Sequence, residues 1–111
     1  MYYIEGTIDS IKIEIGKAES VCFTLHPSAE FLKTVAEGAK KALFVEKSGK
    51  TALIAEFSEN GNEKGKRDFK LGSADSAIKC LLLEAKNNRN TVRVVVESRA
   101  KLCEPVSITI L

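Results

Sequence analysis

Residues 73–96 decide the fold. They read Ser73-Ala74-Asp75-Ser76-Ala77-Ile78-Lys79-Cys80-Leu81-Leu82-Leu83-Glu84-Ala85-Lys86, then Asn87-Asn88-Arg89-Asn90-Thr91, then Val92-Arg93-Val94-Val95-Val96. In the first block Ala77, Ile78, Leu81, Leu82 and Ala85 recur at helical spacing and form one stripe, widened by Leu83. Ser73 or Asp75 can accept the amide protons that a first helical turn leaves without partners. Asn87 or Asn88 can take the left-handed conformation that closes a helix. Val92, Val94 and Val96 then recur at period two, as in a strand with one buried face. A capped helix at about 74–87 therefore feeds a β-branched strand through a polar turn. With three or more strands before it and one after it, this unit points to a small barrel closed at one end by a helix.

Upstream, residues Tyr2 to Ile15 read as a long first strand whose apolar phase changes partway. Ile4 and Ile8 share one parity, while Ile11, Ile13 and Ile15 take the other. Side chains alternate across a strand, so the switch requires an extra residue or a sharp coil, expected at Gly6 or at Asp9-Ser10. A strand that bends midway can serve two parts of one small barrel. Two separate strands with a turn at Asp9-Ser10 are the alternative. After a hairpin turn at Gly16 to Ser20, Val21, Phe23 and Leu25 alternate with Cys22, Thr24 and His26 as a half-buried second strand. Pro27 and Ser28 end it. Ser28 can cap a short helix at about 28–38 that carries Phe31, Leu32, Val35 and Ala36.

The short apolar run Ala42 to Glu46 and the segment Thr51 to Phe57 form a hairpin around Ser48-Gly49. Residues 58–67 are polar and contain Asn60-Gly61 and Gly65, which predicts an exposed loop. A strand resumes at Phe69 and Leu71. Beyond residue 96, Arg99 to Glu104 read as a charged loop, and Val106, Ile108 and Ile110 form a last strand.

The bulk numbers set limits. A chain of 111 residues is expected to form one domain, 1–111, with a modest core. A net charge of +2 and a pI near 8.4 are too small to signal a nucleic-acid protein on their own. No apolar run reaches the length of about 18 residues that a membrane helix needs. The first six residues lack the basic and apolar regions of a secretory leader. A cytoplasmic location is therefore expected, with a secreted origin and an earlier-removed leader as the other reading. Cys22, Cys80 and Cys103 are an odd, widely spaced set, read first as inert thiols, and whether any two pair is left open. With no close cysteine pair and His26 the one histidine, no metal site is expected.

The order of long bent strand, strand, hairpin, helix, strand and strand resembles the OB-fold, a five-stranded Greek-key barrel with its helix between the third and fourth strands. Cys80-Leu81-Leu82-Leu83-Glu84-Ala85-Lys86, the polar turn and Thr91-Val92-Arg93-Val94 look like the corresponding helix and fourth strand of small OB-fold proteins related to bacterial AB-toxin B subunits. The resemblance implies a mainly β chain, an OB-like barrel of five to six strands with one principal helix and the short helix at 28–38 as an insertion. It implies a fold and not an activity.

The chemistry-bearing residues do not converge in the sequence. His26 has no neighbouring nucleophile or carboxylate, and Cys22 lies four residues away on one strand, roughly 13 Å along it. No catalytic group, no cofactor and no enzymatic activity are expected. Lys64, Lys66, Arg67 and Lys70, with Arg89, Arg93, Arg99 and Lys101 near the other turns, can gather on one rim of a barrel. Tyr2 and Tyr3 are the main aromatics out of core phase, with Phe69 a weaker third. The resulting expectation is a non-enzymatic binding module using Tyr3, Lys64, Lys66, Arg67 and Arg93. Its ligand would be a nucleic acid, an oligosaccharide or a protein. The alternative is an interaction protein that forms homo-oligomers through edge strands, with Val95 and the last strand as candidates.

Overall fold

Strand β1, Tyr2–Glu14, organises the whole sheet. In this computed structural model residues 1–16, 20–34, 44–46, 51–52, 67–71 and 76–111 are described. On one edge β1 pairs through Tyr2 to Thr7 with β6, Thr91–Val96. On the other edge Tyr2 and Tyr3 face β3, Phe44–Glu46, and Gly6 to Glu14 face β2, Ser20–Pro27. Outward from these run β4, Thr51–Ala52, beside β3; β5, Arg67–Leu71, beside β2; and β7, Pro105–Ile110, beside β6. Every ladder among the described residues is antiparallel, and all seven strands belong to one sheet. The chain is mainly β.

The phase change in β1 is resolved by a bulge. Ile8 pairs with Leu25 and Ser10 with Thr24, so Asp9 is the extra residue, and β1 continues as one strand. That bulge keeps Ile8 and Ile11 on the same face of the sheet although they are an odd number of residues apart. Gly6 explains how β2 comes so close. A Cβ at position 6 would run into the backbone carbonyl of His26 and lie 2.8 Å from the Cα of Pro27. The second strand thus passes over the first where only a hydrogen fits. The Ser28 amide donates to the Glu5 carbonyl at 3.1 Å and extends this close approach past the end of β2.

The core lies on one face of this sheet. Ile4, Val21, Leu25, Leu82, Val92, Val94 and Val96 have no exposed surface, and Phe23 stacks on Phe69 with ring centres 5.2 Å apart. Ile78, Leu81, Ile108 and Ile110 pack against this cluster as half-buried neighbours. Phe69 belongs to the core and is no surface aromatic, because its cross-strand partner is Phe23. The inward stripe of β1 weakens beyond the bulge. Ile11 is half-buried, but Ile13 is 44% exposed and Ile15, just past the strand, is 92% exposed.

Helix α2 spans Ser76–Asn87 and covers the core with Leu82 and Ala85. The proposed caps at Ser73 and Asp75 lie outside the described residues. At its other end, Arg89 takes the left-handed conformation at φ 54°, and neither Asn87 nor Asn88 does. The reason is length: the Asn88 amide still bonds back to Glu84, so the helix runs one turn position further than the asparagines suggest. The Asn90 amide reaches Ala85 and the Arg89 amide reaches Lys86, which closes the end in a Schellman pattern. The shorter helix α1 is seen over Ala29–Thr34, and its first turn is capped as expected, with the Phe31 amide donating to Ser28 Oγ at 3.1 Å. The remainder of the expected 28–38 helix lies outside the described residues. β3 and β4 pair antiparallel as the expected hairpin requires, with Val45 opposite Thr51, while its turn at Ser48-Gly49, residues 53–57 and the expected loop up to residue 66 lie outside the described residues.

β5 and β7 stand at opposite ends of the path β5-β2-β1-β6-β7. Among the described residues they share no ladder. One backbone bond joins their surroundings, from the Lys70 amide to the Cys103 carbonyl at 2.8 Å. Cys103 sits between a 3-10 turn at Arg99–Lys101 and the start of β7. No described helix is long and apolar enough to cross a membrane.

Candidate functional site

The face of β1, β2 and β5 that points away from the core carries a row of polar side chains. Alternation within each strand puts Lys12 and Glu14, Cys22 and Thr24, and Asp68 and Lys70 on that face, because Val21, Phe23, Leu25 and Phe69 take the other. The register sets them side by side: Lys12 opposite Cys22 and Cys22 opposite Lys70, with Thr24 opposite Asp68. Together with Ser10, Phe69 and Cys103 they line an open groove of about 350 Å³.

Thr24 Oγ1 donates to Asp68 Oδ1 at 2.6 Å. Lys12 Nζ and Lys70 Nζ each lie 3.9 Å from an oxygen of Glu14. These are solvent-facing pairs that hold their side chains loosely and contribute little stability. The groove thus offers two ammonium groups, two carboxylates and hydroxyls; Phe69 borders it but is only 1% exposed and stacked on Phe23, so it opens no ring face to the groove. Cys22 Sγ donates to Glu14 Oε1 at 3.5 Å. Burial, the hydrogen bond to Glu14 and the negative charge of that carboxylate push the Cys22 thiol above its ordinary value of 9.0, with Lys70 and Lys12 pulling weakly the other way. At neutral pH it is a protonated thiol, a poor nucleophile. Cys22, Cys80 and Cys103 form no disulfide.

A second hollow, about 540 Å³, lies at the bulge of β1 and is lined by Thr7, Ile8, Asp9, His26, Lys86 and Arg89. His26 is exposed there, with Nδ1 3.3 Å from the carbonyl of Pro27. No group of three or more described side chains is arranged to hold a metal ion.

Of the residues singled out from sequence, Tyr3 and Arg93 come together. Glu5 is opposite Arg93 in the ladder, and Arg93 Nη2 donates to Glu5 Oε1 at 3.2 Å while its guanidinium sits 5.0 Å from the Tyr3 ring centre. The Tyr3 ring also meets the edge of Phe31 from α1, at 6.1 Å between centres. Tyr3 and Arg93 are therefore already engaged with their own chain. Arg67 opens β5 opposite Leu25. Lys64 and Lys66 lie outside the described residues. The other cations near turns are dispersed: Lys70 in the groove, Arg89 in the second hollow, and Arg93 on the far side of β1.

Sequence reading missed the groove residues Thr24, Asp68 and Glu14 as a set. A signal was present in the polar residues at alternate positions of two strands. Their adjacency depends on the β2–β5 ladder, which joins residues 44 apart (Thr24 and Asp68). No family model, curated protein or solved structure matches the chain.

Proposed function

We propose that the chain is a small non-enzymatic binding module of OB-like fold that holds a polypeptide segment in the groove over β1, β2 and β5. In that reading β1, β2, β5, β6 and β7 are the five barrel strands and α2 is the helix between the third and fourth. The β3–β4 hairpin and α1 are an insertion, and the Lys70–Cys103 bond closes the barrel. The groove then lies on the face of the second and third strands, where barrels of this kind take ligands.

The observation that carries the reading is the mixed charge of a continuous outward face: Lys12, Glu14, Asp68 and Lys70 around the hydroxyl of Thr24. Two carboxylates among the ammonium groups oppose a phosphate backbone, and the lack of an aromatic ring face removes the stacking that single strands need. Sugar rings likewise favour flat apolar platforms. A peptide with both charges and backbone donors and acceptors fits best.

The test is to pan a displayed peptide library on the wild-type protein and measure the selected peptides against Thr24→Arg, which fills the groove from its floor. Groove ligands should weaken at least about tenfold, equivalent to about 1.4 kcal/mol. Peptides that bind both proteins equally would refute the site. Short single-stranded oligonucleotides that bind at low salt and release at high salt would restore the nucleic-acid reading.

A further inference from the structure

The edge of β1 beyond the bulge, which has no second strand beside it among the described residues, has a self-complementary sequence. At Tyr2 and Tyr3 the strand is flanked by β6 and β3, and at Gly6 and Thr7 by β6 and β2. From Ser10 to Glu14 it pairs with β2 alone among the described residues. This stretch reads Ser10-Ile11-Lys12-Ile13-Glu14-Ile15. Ile13 and Ile15 are the two large apolar side chains left exposed here; Ile13 lies on the face that elsewhere forms the core, opposite Val21, and Ile15 follows just past the strand.

We propose that a second copy of this chain docks on this edge, strand to strand and antiparallel, about a two-fold axis through Ile13. In that register Ile13 faces Ile13 of the second copy and Ile11 faces Ile15. Lys12 faces Glu14 and Glu14 faces Lys12. Each apolar residue meets an apolar one and each charge meets its opposite, twice over, as an isologous contact demands. Neighbouring registers fail on charge or on face. Centring on Lys12 sets two ammonium groups opposite each other, centring on Glu14 sets two carboxylates, and a half-step shift puts lysine against isoleucine. An edge lysine ordinarily discourages strand addition. Here the glutamate two residues on supplies the partner that cancels this protection, but only for another copy of the same strand. The pairing would extend the two sheets into one and bring the two grooves together across the axis, since Lys12 and Glu14 border both features. It does not depend on what the groove binds.

Sedimentation of the wild-type protein should show a dimer. Lys12→Glu and Glu14→Lys each place like charges opposite each other at both symmetric positions, so each variant alone should dissociate about tenfold or more readily. Mixing the two variants restores opposite charges at every position and should give a one-to-one heterodimer. Loss of an internal ion pair would not be repaired by mixing. Ile13→Cys should form a disulfide between copies on mild oxidation. Ile15→Cys should not, because its counterpart is residue 11 and the two copies of residue 15 lie roughly 13 Å apart. A wild-type monomer at high concentration, folded single variants that fail to pair on mixing, or crosslinking at 15 in place of 13 would each overturn the proposal. A dimer abolished by Val106→Lys and indifferent to Lys12→Glu would move the contact to β7 and overturn it equally.

Discussion

At the scale of single residues, Gly6 is the tightly constrained one of the two described glycines, Gly16 having open space around it. It lies in β1 between two paired neighbours, and the backbone of His26 and Pro27 occupies the space of a side chain. The atoms in the way are main-chain atoms in a ladder, which cannot rotate aside as the end of a long side chain would. Gly6→Ala is expected to lower stability by about 1–3 kcal/mol, read as a reduced urea midpoint with the slope unchanged. A variant as stable as the parent would mean that β2 has room to move away. Tyr3 makes the opposite point. Its phase in the sequence predicts an exposed aromatic, but Phe31 and Arg93 use its ring to seat α1 and to hold a cation. An aromatic residue near a chain terminus does not reveal in sequence whether a later helix will cover it.

At the scale of elements, the end of α2 offers a clean measurement. Arg89 holds a left-handed backbone that costs a residue with a Cβ roughly 1 kcal/mol and glycine little. Arg89→Gly should stabilise the protein by up to about 1 kcal/mol in thermal or urea unfolding, provided the side chain in the hollow contributes little. A loss of stability would show that the guanidinium makes a contact worth more than the backbone strain. The elements themselves were largely legible. The leucine stripe of α2, the valines of β6, the alternation in β2 and the serine cap of α1 each depend on neighbours a few residues away, and local periodicity reports them. The left-handed position was misplaced by one or two residues because two asparagines look like better candidates than an arginine, and the hydrogen bond from Asn88 to Glu84 decides otherwise. The site was not legible. The groove exists because β2 pairs with β5 across a long intervening segment, and nothing local to Thr24 or Asp68 announces the other.

At the scale of the whole molecule, the question is how a single sheet brings its two ends near enough for the Lys70 amide to reach Cys103. The curvature has two identifiable sources in β1, the close crossing at Gly6 and the extra residue Asp9. Deleting Asp9 separates two kinds of information in the strand. The ladder already skips that residue, so its removal leaves every isoleucine on its present side and every pairing with β2 intact. What disappears is the bend, together with the contact that the Asp9 side chain or backbone makes. The shortened chain should keep its strand content by circular dichroism, while the Lys70 amide exchanges with solvent faster than in the parent. Unchanged exchange would assign the curvature to Gly6 alone. The instruction for which way a side chain faces and the instruction for how far the sheet curls would then be written in different letters, and an insertion or loss of one residue could reshape the protein without disturbing its hydropathy pattern at all.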